Sequence, residues 1–107
     1  MKRAAIVTAL IFGMLHAKGE SVTGFNPLAD AIRRAEGNNP HWLYGIHHPG
    51  TTAPLSETEA RRRCLNTIRH AFNDWRGQGS FVHFLSLRYC PANHAQWESN
   101  VSKFLNQ

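Results

Sequence analysis

Glu36 is the residue of this chain whose position best suits acid–base chemistry. It ends a short amphipathic pattern, NPLADAIRRAE, and a Gly-Asn-Asn-Pro stretch (37–40) follows at once. In the last turn of a helix, the helix dipole disfavours a negative charge by roughly 0.3 to 1 kcal/mol. Stability alone therefore does not select an acid here. Two interpretations stay open: a solvated helix end, or a carboxyl group at the edge of a cleft.

The other reactive residue types form weaker patterns. Among seven histidines, His47 and His48 are adjacent, but no His-x-x-x-His, Cys-x-x-Cys or Glu-x-x-His spacing occurs. We therefore predict no metal site and no cofactor. Cys64 falls on the apolar face of its helix, which favours a core or disulfide cysteine over a nucleophile. The arginine run 61–63 has no interleaved aromatic residues, which favours a solvated helix face over a nucleic-acid interface.

Two segments have clear helical periodicity and helix-end signals. In the first, Asn26 is a candidate N-cap, Pro27 suits the first helical position, and Gly37 ends the helix. The second and most regular segment begins with a capping box of Ser56 and Glu59. Its predicted apolar face consists of Ala60, Cys64, Ile68, Ala71, Phe72 and Trp75.

Two shorter helical patterns follow. Ser80 is a candidate cap for a third helix that Pro91 ends, and Asn93 with Gln96 indicates a box-like start for a fourth. The apolar stripe of the fourth comprises Trp97, Val101, Phe104 and Leu105. Residues 37–55 hold three prolines and three glycines, which is typical of a loop. The sequence thus predicts a small all-α domain with one long loop after the first helix.

The N-terminus has the pattern of a secretory signal. Two basic residues precede an apolar run from Ala4 to Leu15, which is shorter than the roughly 20 residues of a membrane span and suits a signal h-region. We predict a signal peptide over 1–17, a domain over 18–107, export to the periplasm or the extracellular space, and no stable membrane span in the mature chain. A buried N-terminal helix is the alternative.

Size and charge limit the class of protein. A chain of 107 residues forms one small domain. A net charge of +5 favours an anionic polymer, such as a cell wall or nucleic acid, without choosing between them. Cys64 and Cys90 are the only cysteines, and in an exported domain they could form one disulfide, with two free thiols as the alternative.

Two stretches resemble signatures of the lysozyme-like superfamily of peptidoglycan glycosidases. AEGNNPHWLYGI (35–46) is similar to a region of lytic transglycosylases and glucosaminidases in which a catalytic Glu ends a helix and a Gly-containing turn follows. RYCPANHAQWESNVSKFL (88–105) resembles the late segment of the glucosaminidases, where a Tyr, an Asn and an aromatic residue lead into the final helix. With the helix between them, they cover most of residues 26–106.

The resemblance implies a lysozyme-like fold, activity on peptidoglycan glycan strands, and Glu36 as the general acid/base. It implies that Tyr89 borders the cleft near this acid, and that Tyr44 holds the sugar or shapes the turn. Trp42 is either a platform for a sugar ring or a buried aromatic residue. Arg88 and Asn93 are candidates for polar contacts with the substrate.

The chain also departs from the family pattern. Gly37 stands where transglycosylases usually have Ser, and the loop that follows is shorter and lacks their Met-Gln pair. The interval that often holds a second carboxylate in glucosaminidases contains only Glu57, Glu59 and Asp74, so a two-carboxylate scheme has no obvious partner for Glu36. We therefore expect cleavage with one acid, either by attack of a sugar hydroxyl or with help from the substrate's N-acetyl group.

The sequence-based hypothesis is thus an exported peptidoglycan glycosidase that binds no nucleic acid. The first alternative is a catalytically inactive module of the same fold that binds the wall or serves in assembly. The second is a basic helical module that binds nucleic acid or a protein partner. No feature of the sequence indicates the oligomeric state.

Overall fold

The computed structural model describes residues 24–46 and 53–106, and these residues form four helices without a strand. The helices are α1 (Asn26–Glu36), α2 (Glu57–Asp74), α3 (Phe81–Tyr89) and α4 (His94–Leu105). Two short 3₁₀ turns, Leu43–Gly45 and Pro91–Asn93, precede α2 and α4. The prediction of a small all-α domain is confirmed, and the predicted loop after α1 contains the first of these turns. No helix in the described ranges has the length and apolarity needed to cross a membrane.

Several predictions concern residues outside these ranges. The proposed signal peptide (1–17), the residues directly after it and the pair His47 and His48 lie outside the described part of the chain.

Helix α2 forms as its sequence pattern predicts. The Ser56 hydroxyl accepts a hydrogen bond from the Glu59 N–H at 3.1 Å and so satisfies a free donor of the first turn. The carboxylate of Glu59 does not complete the box but contacts Arg62 and Arg63. The predicted apolar face is buried along its whole length and forms the centre of the core: Ala60, Cys64, Ile68, Ala71, Phe72 and Trp75.

Helix α1 begins differently from the prediction. Asn26 lies inside the helix after Phe25, and its side chain does not cap. Its amide oxygen instead accepts a hydrogen bond from Arg61 at 2.9 Å, because α2 brings that guanidinium beside the first turn. The predicted end is correct: Gly37 has a φ of +86°, and Arg33 donates to its carbonyl oxygen at 2.8 Å.

Helices α3 and α4 follow the same mixed pattern. Ser80 caps α3 as predicted, since its hydroxyl accepts from the His83 N–H at 3.0 Å. The side chain of Asn93 makes no cap at the start of α4, so the box-like start is wrong. The preceding turn, Pro91–Asn93, already brings the chain into helical geometry. In the predicted stripe, Trp97 and Val101 are buried and the two later residues are half-buried.

The packing places the end of α1 beside α4 and the Leu43–Gly45 turn. Helix α4 packs on α1 and α3, α3 packs on α2, and the turn packs against both α1 and α2. Tyr44 anchors the turn, with 2% of its surface exposed. Within the same continuous core, four aromatic rings contact one another with centroids 5.2 to 5.7 Å apart: Phe25, Phe72, Trp75 and Phe81.

Candidate active site

The carboxyl group of Glu36 is half-buried and is held by one neutral donor. The indole Nε1 of Trp97, on α4, donates a hydrogen bond to Glu36 Oε2 at 2.8 Å. Within residues 24–46 and 53–106 the carboxyl group has no second hydrogen bond and no ion pair. A carboxyl group held by one neutral donor is the type of group that general acid–base catalysis uses.

Gly45 lies directly against this carboxyl group. A β-carbon on Gly45 would stand 2.7 Å from Oε2 and 2.8 Å from Cδ of Glu36, closer than such atoms approach in proteins. The backbone here also has a φ of +72°, which strains residues other than glycine. Gly45 thus allows the turn to close over the acid.

Tyr44 fixes the turn that delivers Gly45. It has a φ of +60°, an unusual conformation for a residue with a side chain. Its phenol accepts a hydrogen bond from Arg61 at 3.0 Å, and its carbonyl oxygen accepts one from the phenol of Tyr89 at 2.5 Å. Burial raises the pKa of Tyr44 above its ordinary value, so the phenol stays neutral. Tyr44 therefore shapes the turn, which is one of the two roles that the resemblance implied.

Arg61 is turned inward, against the prediction that the run 61–63 is a solvated face. Besides Tyr44, its guanidinium contacts Asp30 at 2.8 Å and Asn26 at 2.9 Å. These acceptors come from α1 and the turn, and together they draw this arginine between the elements. Arg62 stays exposed.

Tyr89 connects the turn to the indole of Trp97. Its ring stacks on Trp97 with a centroid distance of 5.0 Å and an interplanar angle of 26°. Burial raises the pKa of Tyr89, and the nearby Cys64 thiol and Glu36 carboxylate raise it further. The phenol is thus a permanent hydrogen-bond donor to the turn. Tyr89 thus lies behind Trp97, the residue that contacts the acid, and its predicted place at the border of a cleft stays a prediction.

Both cysteines are free thiols, so the possible disulfide between Cys64 and Cys90 is not formed in this structure. Cys64 is completely buried, and the Tyr89 phenol is near enough to affect the pKa of its thiol. Burial raises the pKa of the Cys64 thiol to about 11. Cys90 is the half-buried residue after the end of α3.

The remaining predicted residues are not brought into contact with the acid. Trp42 precedes the turn and exposes 46% of its surface, so it is not the buried aromatic residue of the second interpretation. Asn93 is exposed at the start of α4, one turn before Trp97. Arg88 pairs with Asp74 at 2.7 Å, and its guanidinium lies 4.9 Å from the centre of the Phe84 ring.

Glu36 is the exception among the acids of the described part. Each of the other five carboxylates there contacts a basic side chain: Asp30 contacts Arg61, Glu57 contacts Arg33, Glu59 contacts Arg62 and Arg63, Asp74 contacts Arg88, and Glu98 contacts His83. Among the described carboxyl groups, Glu36 is thus the one that contacts a neutral donor instead of a basic side chain.

Sequence reasoning missed two members of the site, Trp97 and Gly45. Trp97 was assigned to an apolar stripe, and a stripe looks the same whether its residues face a core or a carboxyl group. Both residues do lie inside the stretches that resemble the glycosidase signatures. That resemblance was the only signal that could have indicated them.

Residues 24–46 and 53–106 thus form a small all-α domain in which one carboxyl group, that of Glu36, lies at a helix end without a basic partner. In residues 24–46 and 53–106 no group of three or more His, Cys, Asp or Glu is placed to hold a metal ion. The chain has no match among models of known protein families, curated proteins or solved structures.

Proposed function

We propose that this protein is an exported peptidoglycan glycosidase, of the lytic transglycosylase or the glucosaminidase and muramidase type, with Glu36 as its general acid/base. The observation that carries the proposal is the environment of Glu36. It lies at the end of α1, contacts a neutral indole N–H, and lacks the basic side chain that every other described acid has as a partner.

The contacts between the two glycosidase-like stretches support this proposal. Glu36 and Trp97 are 61 residues apart and form a hydrogen bond. Tyr44 and Tyr89, 45 residues apart, form another. The two stretches therefore contact each other in the fold, although all of α2 and most of α3 separate them in the chain.

The paired state of the other acids supports a mechanism with one acid. Glu57, Glu59 and Asp74 are the carboxylates between the two stretches, and each is engaged by arginine. In such a mechanism Glu36 protonates the glycosidic oxygen as the bond from the sugar's anomeric carbon to that oxygen breaks. A hydroxyl of the same sugar then attacks the anomeric carbon and returns its proton to Glu36, which regenerates the acid. Assistance by the N-acetyl group is the alternative one-acid route.

Release of soluble muropeptides from purified peptidoglycan tests the proposal. We expect Glu36→Gln to lower the rate by at least about 100-fold, which is the usual contribution of a general acid. Glutamine keeps an oxygen that accepts from Trp97, so the fold is preserved. Glu98→Gln is the matched control, because it makes the same change in an acid paired with His83 and should keep most of the activity.

The masses of the products separate the two one-acid routes, because internal attack gives anhydro ends and hydrolysis gives reducing ends. If neither the parent nor Glu36→Gln releases fragments while both are folded and bind the wall, the enzyme proposal is wrong and the inactive wall-binding module replaces it. Salt-dependent binding to DNA would instead favour the nucleic-acid alternative.

A further inference from the structure

One oxygen of Glu36 is held by an atom that can only donate. The indole N–H of Trp97 has no acceptor capacity, and it contacts Oε2 at 2.8 Å. The hydroxyl oxygen of a neutral carboxylic acid accepts hydrogen bonds poorly compared with its carbonyl oxygen. A proton on Oε2 would therefore weaken the contact with Trp97, whereas a proton on Oε1 leaves it intact.

Gly45 lies nearer to this oxygen than to the other oxygen of the carboxyl group. The position of a β-carbon on Gly45 is 2.7 Å from Oε2 and 3.2 Å from Oε1 of Glu36. Oε1 is thus farther from the turn, and within the described ranges no side chain or backbone group forms a hydrogen bond with it. Oε2 is thus the engaged oxygen of this carboxyl group, and Oε1 is the one without a hydrogen-bond partner among the described residues.

Trp97 is itself held in place. It exposes 5% of its surface, and its ring stacks on Tyr89, whose phenol is hydrogen-bonded to the backbone of Tyr44. The indole and the turn that carries Gly45 are therefore tied together by one side chain. Their common orientation fixes the rotation of the carboxyl group between them.

We propose that Trp97 is a positioning residue that reserves Oε2 as an acceptor, so that Oε1 carries the proton given to the leaving oxygen. The proposal rests on the function proposed above for Glu36. It assigns to Trp97 an effect on the catalytic step rather than on the binding of the glycan.

The kinetic test is Trp97→Phe, which removes the N–H and retains an aromatic ring against Tyr89. We expect kcat to fall about 10- to 100-fold, because the carboxyl group loses its fixed orientation, with KM changed by less than about threefold, since binding is left to other groups. Trp75→Phe is the matched control: Trp75 is also a buried indole, but its N–H donates to the Gln78 carbonyl oxygen in another part of the core. Equal losses in the two variants would show a purely structural role and overturn the proposal.

A second measurement does not depend on activity. In ¹⁵N-labelled full-length protein, the indole N–H resonance of Trp97, assigned by its loss in Trp97→Phe, should shift in Glu36→Ala, which removes the acceptor, while that of Trp75 stays in place. If the Trp97 resonance is unchanged, the contact is absent and the positioning role is wrong, whatever the activity. If the resonance shifts but the parent releases no muropeptides, the proposed function has failed and the positioning role fails with it, although the contact is real.

Discussion

The acids at the end of α1 and at the start of α2 are held in opposite ways. Glu57 and Glu59 lie in the first turn of α2, where the helix dipole favours negative charge. A hydrogen bond from Arg33 lowers the pKa of Glu57, and hydrogen bonds from Arg62 and Arg63 lower that of Glu59 to about 2. Glu36 lies at the unfavourable end of its helix and contacts a neutral indole.

The contacts of Arg33 show that Glu36 does not lack an ion pair because no cation is near. Arg33 is in the same turn as Glu36, but its guanidinium bonds to the Gly37 carbonyl oxygen and to Glu57 at 3.0 Å. The arginine therefore ends one helix and pairs with the start of the next. Glu57 and Glu59 are therefore paired with arginines, whereas Glu36, the proposed general acid, is not.

The largest effect is expected where the turn meets Glu36. Gly45→Ala would place a methyl group 2.7 Å from Oε2, so the flexible carboxyl group must move away. We expect muropeptide release to fall about 100-fold, as is typical when a reacting group shifts by about 1 Å. The left-handed backbone should also reduce the free energy of unfolding by roughly 1 to 2 kcal/mol. Rates and urea unfolding curves measure the two effects.

Gly79→Ala separates these two effects. Gly79 has a similar φ of +68°, but no atom lies within 4 Å of the position of its β-carbon. It should therefore lose stability and keep its activity. If Gly45→Ala and Gly79→Ala both lose activity in proportion to their loss of stability, the close approach of Gly45 to Glu36 does not affect catalysis.

The next largest effect is expected from removing the hydrogen bond between Tyr89 and the backbone of Tyr44. Tyr89→Phe retains the stacking on Trp97 but leaves the Tyr44 carbonyl oxygen without its donor. We expect a loss of about 1 to 3 kcal/mol in the free energy of unfolding, the usual penalty for an unsatisfied buried group. Tyr44→Phe is the comparison, because it removes a contact with Arg61 and leaves the link to Tyr89 in place. Activity should fall further in Tyr89→Phe than in Tyr44→Phe. The opposite order would show that Arg61, rather than Tyr89, holds the turn.

A smaller effect is expected at the start of α2. Ser56→Ala removes the acceptor for the Glu59 N–H and should cost about 1 kcal/mol of stability, as N-cap substitutions do. Activity should be unchanged, since Ser56 lies at the start of α2 and makes no contact with Glu36. Asn93→Ala removes a side chain that caps nothing and should leave the thermal midpoint in place. Equal shifts of the two midpoints would contradict these cap assignments.

The helices could be predicted because their signals are local. Ser56, Ser80 and Gly37 act within one turn of their own position, and the buried face of α2 is readable from its period. Asn26 has the same type of signal, but its side chain bonds to Arg61, 35 residues away. A partner from another helix is not visible in a local pattern. For this reason the predictions of a cap at Asn26 and of a solvated Arg61 are wrong.

In the candidate site too, some residues have a local sequence signal and others depend on contacts between distant elements. The position of Glu36 at the end of α1 follows from the period of one helix and a glycine after it. Its neighbours, Trp97 and Gly45, depend on the packing of α4 and the turn against that end. A buried tryptophan in a stripe gives no sign that its N–H faces a carboxyl group, so the contact had to come from the fold.

The smallest expected effect is the change with pH in the stability that Glu59 contributes. It tests whether the ion pairs at the start of α2 stabilise the fold. The pKa of Glu59 is about 2 in the folded chain and 4.5 ordinarily. Its contribution to stability is therefore complete above pH 4.5, and it is lost as the pH falls toward 2, because the unfolded chain takes up the proton first.

Glu59→Gln should be less stable than the parent at pH 7 and equal to it near pH 2. The difference should be small because the carboxylate is exposed to solvent and salt. Urea unfolding followed by circular dichroism at pH 7, 4 and 2.5 measures it. A difference that does not narrow with falling pH would mean that Arg62 and Arg63 do not stabilise this acid, and the contrast with Glu36 would then rest on Glu57 alone.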